Sequence, residues 1–396
     1  MSVYRNGVTS SVAGRPADAT TQTTSGTTAR RFSISPGERR SLIRMGLFIL
    51  LLHVVGWGVL LGLIVPAHYQ VATGVFGVGL GITAYTLGMR HAFDADHIAA
   101  IDNTTRKLMT EGERPMSVGF WFSLGHSSVV FVMVTLLAFG VRALAGALQD
   151  NQSELQQVTG LWGTSISGLF LIIIGLVNLV ALGGILKVFR RMRQGHFDEA
   201  ELERQLDNRG FLNRILGRVT RAVRKPWHMY PVGFLFGLGF DTVTEVGLFV
   251  IAGGAVASGL PWYAIVVLPV LFAAGMSLLD ALDGSFMNVA YGWAFAQPVR
   301  KIYYNITVTA LSVAVALGIG VIELISILTD KAGITNGPLA AIGALKLENI
   351  GYLIVGLFVV TWAVAIAVWK LGRVEERWSE NLTSASDQPG MPVSGS

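Results

Sequence analysis

Apolar runs of bilayer length alternate with short polar or basic stretches along most of this chain. The runs fall at roughly 45–65, 72–101, 117–141, 160–186, 231–257, 262–282, 302–328 and 350–371. A helix needs about 20 mostly apolar residues to cross a bilayer. The pattern therefore predicts an all-α, polytopic integral membrane protein with about eight transmembrane helices. Residues 1–43 break the pattern: "SVAGRPADATTQTTSGTTARRFSISPGERR" has almost no large apolar side chains. Such a segment cannot bury enough surface to fold, so a disordered basic tail is expected; a transit peptide has a similar composition. The first apolar run begins only at Met45, so no cleavable signal peptide is expected. A second polar tail is expected over 373–396, leaving a membrane domain over 44–372.

Loop charges orient the spans. Arg30, Arg31, Arg39, Arg40 and Arg44 precede the first span, and Arg106, Lys107 and Arg114 follow the second. The 187–230 loop carries Lys187, Arg190, Arg191 and Arg193. Arg300 and Lys301 precede the seventh span, and Lys370, Arg373 and Arg377 close the eighth. The alternate loops, such as "PAHYQ" and "DNQSELQQ", are short or poor in Lys and Arg. The positive-inside rule then predicts a multi-pass cell-membrane protein with both termini and the 187–230 loop in the cytoplasm. Composition agrees: 52% of residues are hydrophobic and 14% charged, against about 25% charged in soluble proteins. The net charge of +5 sits in loops and tails, where it serves topology and the lipid surface; no nucleic-acid partner is expected. The chain has no cysteine, which excludes disulfides and thiolate ligands.

The candidate chemistry lies inside the spans. "MRHAFDADHI" (89–98) places two histidines and two carboxylates in the second run. The second, third, fifth and sixth runs together hold His91, Asp94, Asp96, His97, His126, Asp241, Glu245, Asp280 and Asp283. A charged side chain at a helix centre costs about 2.5–3.5 kcal/mol on insertion scales. The acids outnumber Arg90, the one basic residue clearly inside these four runs, so a cation or protons are the natural balance. At about 100° per residue His91, Asp94 and His97 share one sector, and Asp96 points away unless a kink turns it in. Asp241 and Glu245 repel at i,i+4 and call for a cation or a proton. Asp280 and Asp283 read as lying near the cytoplasmic end of span six, where capping or a solvated turn would also account for them. Interhelix hydrogen bonding accounts for His53 and His68, and is the alternative for His126, Asn103 and Asn178. Neutral imidazole with carboxylate suits Ni, Co, Zn, Cu or Fe(II) and suits Mg or Ca poorly. A protonated imidazole has no free lone pair, so metal binding is expected to weaken on acidification.

Glycines crowd the second run (Gly74, Gly77, Gly79, Gly81, Gly88) and "PVGFLFGLGF" of the fifth. Close helix packing or an interrupted helix lining a site would each explain them. "LGMRHAFDADHIAAI" also echoes "FGLGFDTVTEVGLFV", and "FSLGHSSVV" echoes "FAAGMSLLD". This match predicts an inverted repeat relating spans two and three to spans five and six, with a site at the repeat interface near the midplane.

"RHAFDADHIAAIDN" resembles the signature of the nickel/cobalt transporter family of eight-span permeases, His, four residues, Asp, His, here His91, Asp96 and His97. "LGHSSVV", "GFDTVTE" and "GMSLLDALDGSFMNVAYGWAF" resemble the family's other motifs, in the same order. The resemblance implies high-affinity uptake of Ni2+ or Co2+ as transported substrates, with no resident cofactor. It implies functional roles for the nine intramembrane His and acid positions named above. Related efflux proteins carry a long His-rich cytoplasmic loop; here 187–230 holds only His196 and His228, which favours uptake. The alternative classes are efflux of the same metals, a metal-dependent intramembrane enzyme, and a metal-sensing receptor. No H-E-x-x-H occurs, no signalling domain follows the spans, and no Walker A sequence supplies ATP hydrolysis. The chain is therefore expected not to be an enzyme.

Overall fold

The computed structural model describes residues 35–72, 74–139, 154–193, 223–239, 243–294, 298–345, 347 and 350–371. The first helix, α1 (Pro36–Val59), continues through a π turn (Leu60–Ile64) and a last turn to Ala67. Its start is written in the sequence: the Ser35 hydroxyl accepts from Glu38 N, the Glu38 carboxylate accepts from Ser35 N, and Pro36 occupies the first turn. This capping box satisfies amides that would otherwise lack partners, and it makes residues 36–43 helical where a tail was expected. Residues 1–34 and 372–396 lie outside the described residues.

Two-residue strands β1 (Gln70–Val71) and β2 (Gly74–Val75) pair antiparallel before the second span. That span is not one helix. It comprises α2 (Val78–His91) and α3 (Ala95–Thr110), separated at the motif itself. The third and fourth spans are α4 (Val118–Ala138) and α5 (Glu154–Arg193). The fifth is again divided, into α6 (Met229–Phe236) and α7 (Val243–Ala257). Next come α8 (Trp262–Ala294), α9 (Pro298–Ala332), the short α10 (Pro338–Gly343) and α11 (Ile350–Leu371). Among the described residues five helices are long and apolar enough to cross a membrane unaided. The divided spans and α11 occupy the remaining predicted runs. The 187–230 loop is shorter than its basic composition predicts, because α5 runs on to Arg193 and Val223 is buried beneath Lys107, whose ammonium donates to the Val223 carbonyl.

Reciprocal contacts bear on the internal repeat. Gly88 of α2 packs so tightly on α8 that a Cβ there would lie 2.0 Å from the Phe272 carbonyl. Gly233 of α6 packs on α4 with a Cβ position 2.0 Å from the Phe122 carbonyl. Gly125 of α4 meets Tyr230 of α6, and Gly275 of α8 meets Tyr85 of α2, in the same exchanged sense. Spans two and six thus touch as spans five and three do, the pattern an inverted repeat produces.

Two hydrophobic cores flank a polar layer. One contains the end of α1, part of α2, Val129–Leu137 of α4, α7 and the first half of α8. The other contains α3, Val118 and Phe122 at the start of α4, α6, the end of α8, and parts of α5, α9 and α11. Between them along each helix come His91 and Asp94, His126, Glu245, and Asp280.

Candidate metal centre

The helix break positions the first candidate ligands. After His91 the chain turns through Phe93 N→Arg90 O (3.0 Å) and Asp94 N→His91 O (2.9 Å), and α3 restarts with Ile98 N→Asp94 O (3.2 Å). Phe93 is held by α11: its ring stacks on Tyr352 at 5.1 Å between centroids. Its carbonyl fits against Gly351, where a Cβ would clash at 1.5 Å. α2 and α6 end at this layer and α3 and α7 begin there, so carbonyl ends that favour positive charge face amide ends whose first turns carry Asp96 and Glu245.

Three imidazoles meet there. His91, His97 and His126 are 1%, 0% and 3% exposed, and a nitrogen of each lies within 4.8 Å of the other two. His91 Nε2 is 2.8 Å from His126 Nε2, which is 2.9 Å from Glu245 Oε1; the third edge, His91 Nε2 to Glu245 Oε1, is 3.9 Å. A first-row dication bound at about 2.0–2.1 Å by nitrogen places neighbouring ligand atoms about 2.9 Å apart at right angles and about 3.4 Å apart at the tetrahedral angle. The observed triangle brackets those spacings. His97 Nε2 and His126 Nδ1 are buried without a hydrogen-bond partner.

Carboxylates hold two of the rings from behind. His91 Nδ1 lies 2.7 Å from Asp94 Oδ2 and 3.0 Å from Thr244 Oγ1. His97 Nδ1 lies 3.3 Å from Asp280 Oδ2. An imidazole that donates through Nδ1 presents its Nε2 lone pair, the arrangement that orients metal-binding histidines. Phe122 closes one side, its ring 4.8 Å from that of His97.

The structure sorts eight of the nine expected positions. It brings His91, His97, His126 and Glu245 together and puts Asp94 and Asp280 behind the histidines. Asp96 stays off the His91–Asp94 pair, as regular phasing predicts, and the break does not turn it in: its Oδ1 accepts from His97 N at 2.9 Å, and the side chain lines a cavity beside the cluster. Asp280 is 1% exposed and well inside α8, which corrects the expectation of a span end, since the helix continues to Ala294. Asp283 lies one turn on from Asp280, half-buried. Asp241 lies outside the described residues. His53 bonds Ile49 O at 2.8 Å and Tyr85 Oη at 3.1 Å, the packing role expected of it, and exposed His68 ends a helix in a left-handed turn. Sequence reading did not select Thr244, although it lies within the quoted "GFDTVTE". It also did not select Glu323, which lines the cavity from α9. A lone acid in "GVIELISIL" was the available signal.

Arg106 and Lys107, expected in a loop, are each 1% exposed because α3 extends to Thr110. Arg106 donates to Ser312 Oγ at 3.0 and 3.2 Å and to Thr309 Oγ1 at 2.8 Å, and lies 4.2 Å above the Tyr291 ring. Tyr291 in turn donates to Asp102. Asn178 donates to Asn103 Oδ1 at 2.9 Å.

The family model described as "High-affinity nickel-transport protein" matches residues 77–368. The chain is 59% identical over 340 residues to "Nickel transporter NicT" of Mycobacterium tuberculosis, covering 85% of this chain and 91% of that protein. It is 45% identical over 347 residues to "Nickel transporter NixA" of Staphylococcus aureus, covering 88% and 99%. It is 41% identical over 335 residues to "Cobalt transport protein NhlF" of Rhodococcus rhodochrous, covering 83% and 92%. No solved structure matches the chain.

Proposed function

The chain belongs to the high-affinity nickel-transport protein family, and on that premise we propose that it takes up Ni2+ or Co2+ through the three-histidine cluster. The observation that carries this is the buried triangle of His91 Nε2, His126 Nε2 and Glu245 Oε1, with the His97 ring 4.6 and 4.8 Å from those of His91 and His126 and its Nε2 without a hydrogen-bond partner. His91, His97, His126 and Glu245 contact the ion, and Asp94 and Asp280 position the first two rings. Nitrogen-rich ligation favours nickel and cobalt over Mg2+, which prefers oxygen and dehydrates reluctantly.

The loop charges support an orientation with both termini in the cytoplasm. The cavity beside the cluster runs along the first part of α5 and the last part of α9 to Leu345, so in that orientation it opens outward. The apolar core around Phe122, Phe236 and Tyr291 closes the opposite side. Inward passage would then require the two halves of the repeat to exchange roles. A membrane potential of 100 mV contributes about 2.3 kcal/mol per charge, and twice that for a dication. Spans five and six supply ligands and a positioning carboxylate to the same layer, so chemistry and conformational change share helices.

The test is radionickel uptake by cells expressing wild type, His91→Ala or His126→Ala, normalised to protein in the membrane. High-affinity uptake is expected only from wild type. Wild-type affinity in either variant would make the cluster a packing motif. Reporter fusions at Gln194 and Gln152 check the orientation and should fall on opposite sides of the membrane.

A further inference from the structure

Glu323 is 6% exposed on α9, in an otherwise apolar stretch of the span. A carboxylate there costs about 2.5–3.5 kcal/mol on insertion scales, which calls for a reason. Ser167 of α5 donates to its Oε1 at 3.0 Å. The two helices are held close one turn away by facing glycines: a Cβ on Gly320 would lie 2.8 Å from the Gly168 carbonyl, and one on Gly168 would lie 3.2 Å from the Gly320 carbonyl. Hydroxyl and carboxylate are therefore fixed relative to each other.

Their place in the molecule gives the reason. A cavity of about 220 Å³ is lined by His91, His126 and Asp96, by Ser167 and Glu323, and by Leu345. Leu345 is 48% exposed, so this end reaches the surface. That volume has room for several waters. Glu323 therefore lines the same cavity as the histidines, within the route an ion would take from this end.

We propose that Glu323 and Ser167 form an outer capture site that holds a hydrated divalent cation by oxygen ligands before the histidines strip its water. The proposal rests on the transport reading above and adds a second, chemically distinct site to it. Its ligands are a carboxylate and a hydroxyl, a hard donor set that tolerates retained water. The histidine triangle has spacings that fit a bare ion. A negative charge inside a narrow, low-dielectric entrance also concentrates cations near the mouth. The two sites thus divide the work, capture at Glu323 and selection by nitrogen at the histidines.

The test separates arrival from binding. Initial rates of Ni2+ uptake are measured against concentration for wild type, Glu323→Gln and Glu323→Asp. In parallel, purified proteins in detergent are titrated with Co2+, and its visible d–d absorption reports imidazole ligation. Glu323→Gln is expected to raise the half-saturating Ni2+ concentration by about tenfold, with the Co2+ absorption at saturation unchanged. Glu323→Asp, which keeps the charge, is expected to recover most of the lost uptake. Wild-type half-saturation in Glu323→Gln overturns the capture site alone. Loss of the Co2+ absorption in that variant also overturns it, by making Glu323 part of the histidine site or of the fold. A wild type that accumulates neither metal overturns the transport reading and this proposal with it.

Discussion

Two buried polar regions of this protein use the same kinds of atoms to opposite ends. Around Arg106 the guanidinium donates to Ser312 and Thr309 and lies over Tyr291, and Tyr291 donates to Asp102. Around His126 two imidazole nitrogens face each other at 2.8 Å, and His97 Nε2 and His126 Nδ1 have no partner. Buried polar groups are normally satisfied within the protein, and each exception calls for an explanation. The Arg106 region answers its own donors with acceptors from α9, so it ties α3 to that helix. The histidine region instead crowds imidazole nitrogens and a carboxylate oxygen within 4 Å of one another with little internal pairing, the arrangement the transport proposal assigns to a cation. Asp102 Oδ2 is also buried without a hydrogen-bond partner, so burial and an unmet atom alone do not mark a site; the close clustering of several nitrogens with a carboxylate oxygen is what separates the two regions.

The sharpest way to break this comparison is His97→Ala. It is expected to lower the affinity of the purified protein for Ni2+ by more than about 100-fold, beyond the usual effect of losing a group that merely orients a ligand. The same variant should lose some thermal stability as well, because it removes a buried ring that packs on Phe122 and the Nδ1 that meets Asp280, but His97→Gln, which keeps a buried polar side chain, should lose the affinity with a smaller stability cost. Calorimetric titration and thermal unfolding in detergent read the two halves. A large stability loss with affinity intact would reverse the roles assigned to the regions.

Arg106→Ala is the mirror experiment. It removes three hydrogen bonds that a charged donor makes to Ser312 and Thr309. The expected cost is about 3 kcal/mol of stability, seen as less protein in the membrane and an earlier thermal transition. What does fold should still bind Ni2+. Loss of binding in correctly folded protein would show that the two regions form one site.

Asp280→Asn tests the boundary between them, since Asp280 Oδ2 meets His97 Nδ1 at 3.3 Å from outside the histidine triangle. A positioning carboxylate is expected to be worth about 10–100-fold in metal affinity. An Asp280→Glu variant should recover part of the loss, which a purely structural role would not predict. The smallest effect is expected from Asn178→Ala, which removes the bond to Asn103 Oδ1. A neutral bond of this kind is worth about 1 kcal/mol, so a slight drop in stability with unchanged uptake is the expected outcome. Abolished uptake would move Asn178 out of the structural region.

The amino-acid order alone determined the membrane class, the positions of the apolar runs and the intramembrane histidines and acids. Each of these is local: a run of apolar residues is a run in any fold, and His91 with His97 is anomalous in one wherever it packs. The divided second and fifth spans were also foreshadowed, by glycine content. Tertiary structure alone decided how the functional atoms meet. Regular phasing put His91, Asp94 and His97 on one face and Asp96 off it, but only the break at residues 92–94 and the packing around it set the 2.7 Å approach of Asp94 to His91 and bring Asp96 to the cavity wall. The extension of α8 to Ala294 buried Asp280 behind His97, and the extension of α3 to Thr110 buried Arg106. Glu323 acquired a neighbour in Ser167, 156 residues away in the chain, only through the packing of α5 on α9. These contacts depend on where helices end and which faces they share, and those are set by glycine-to-carbonyl approaches between distant segments that no periodicity along the chain encodes.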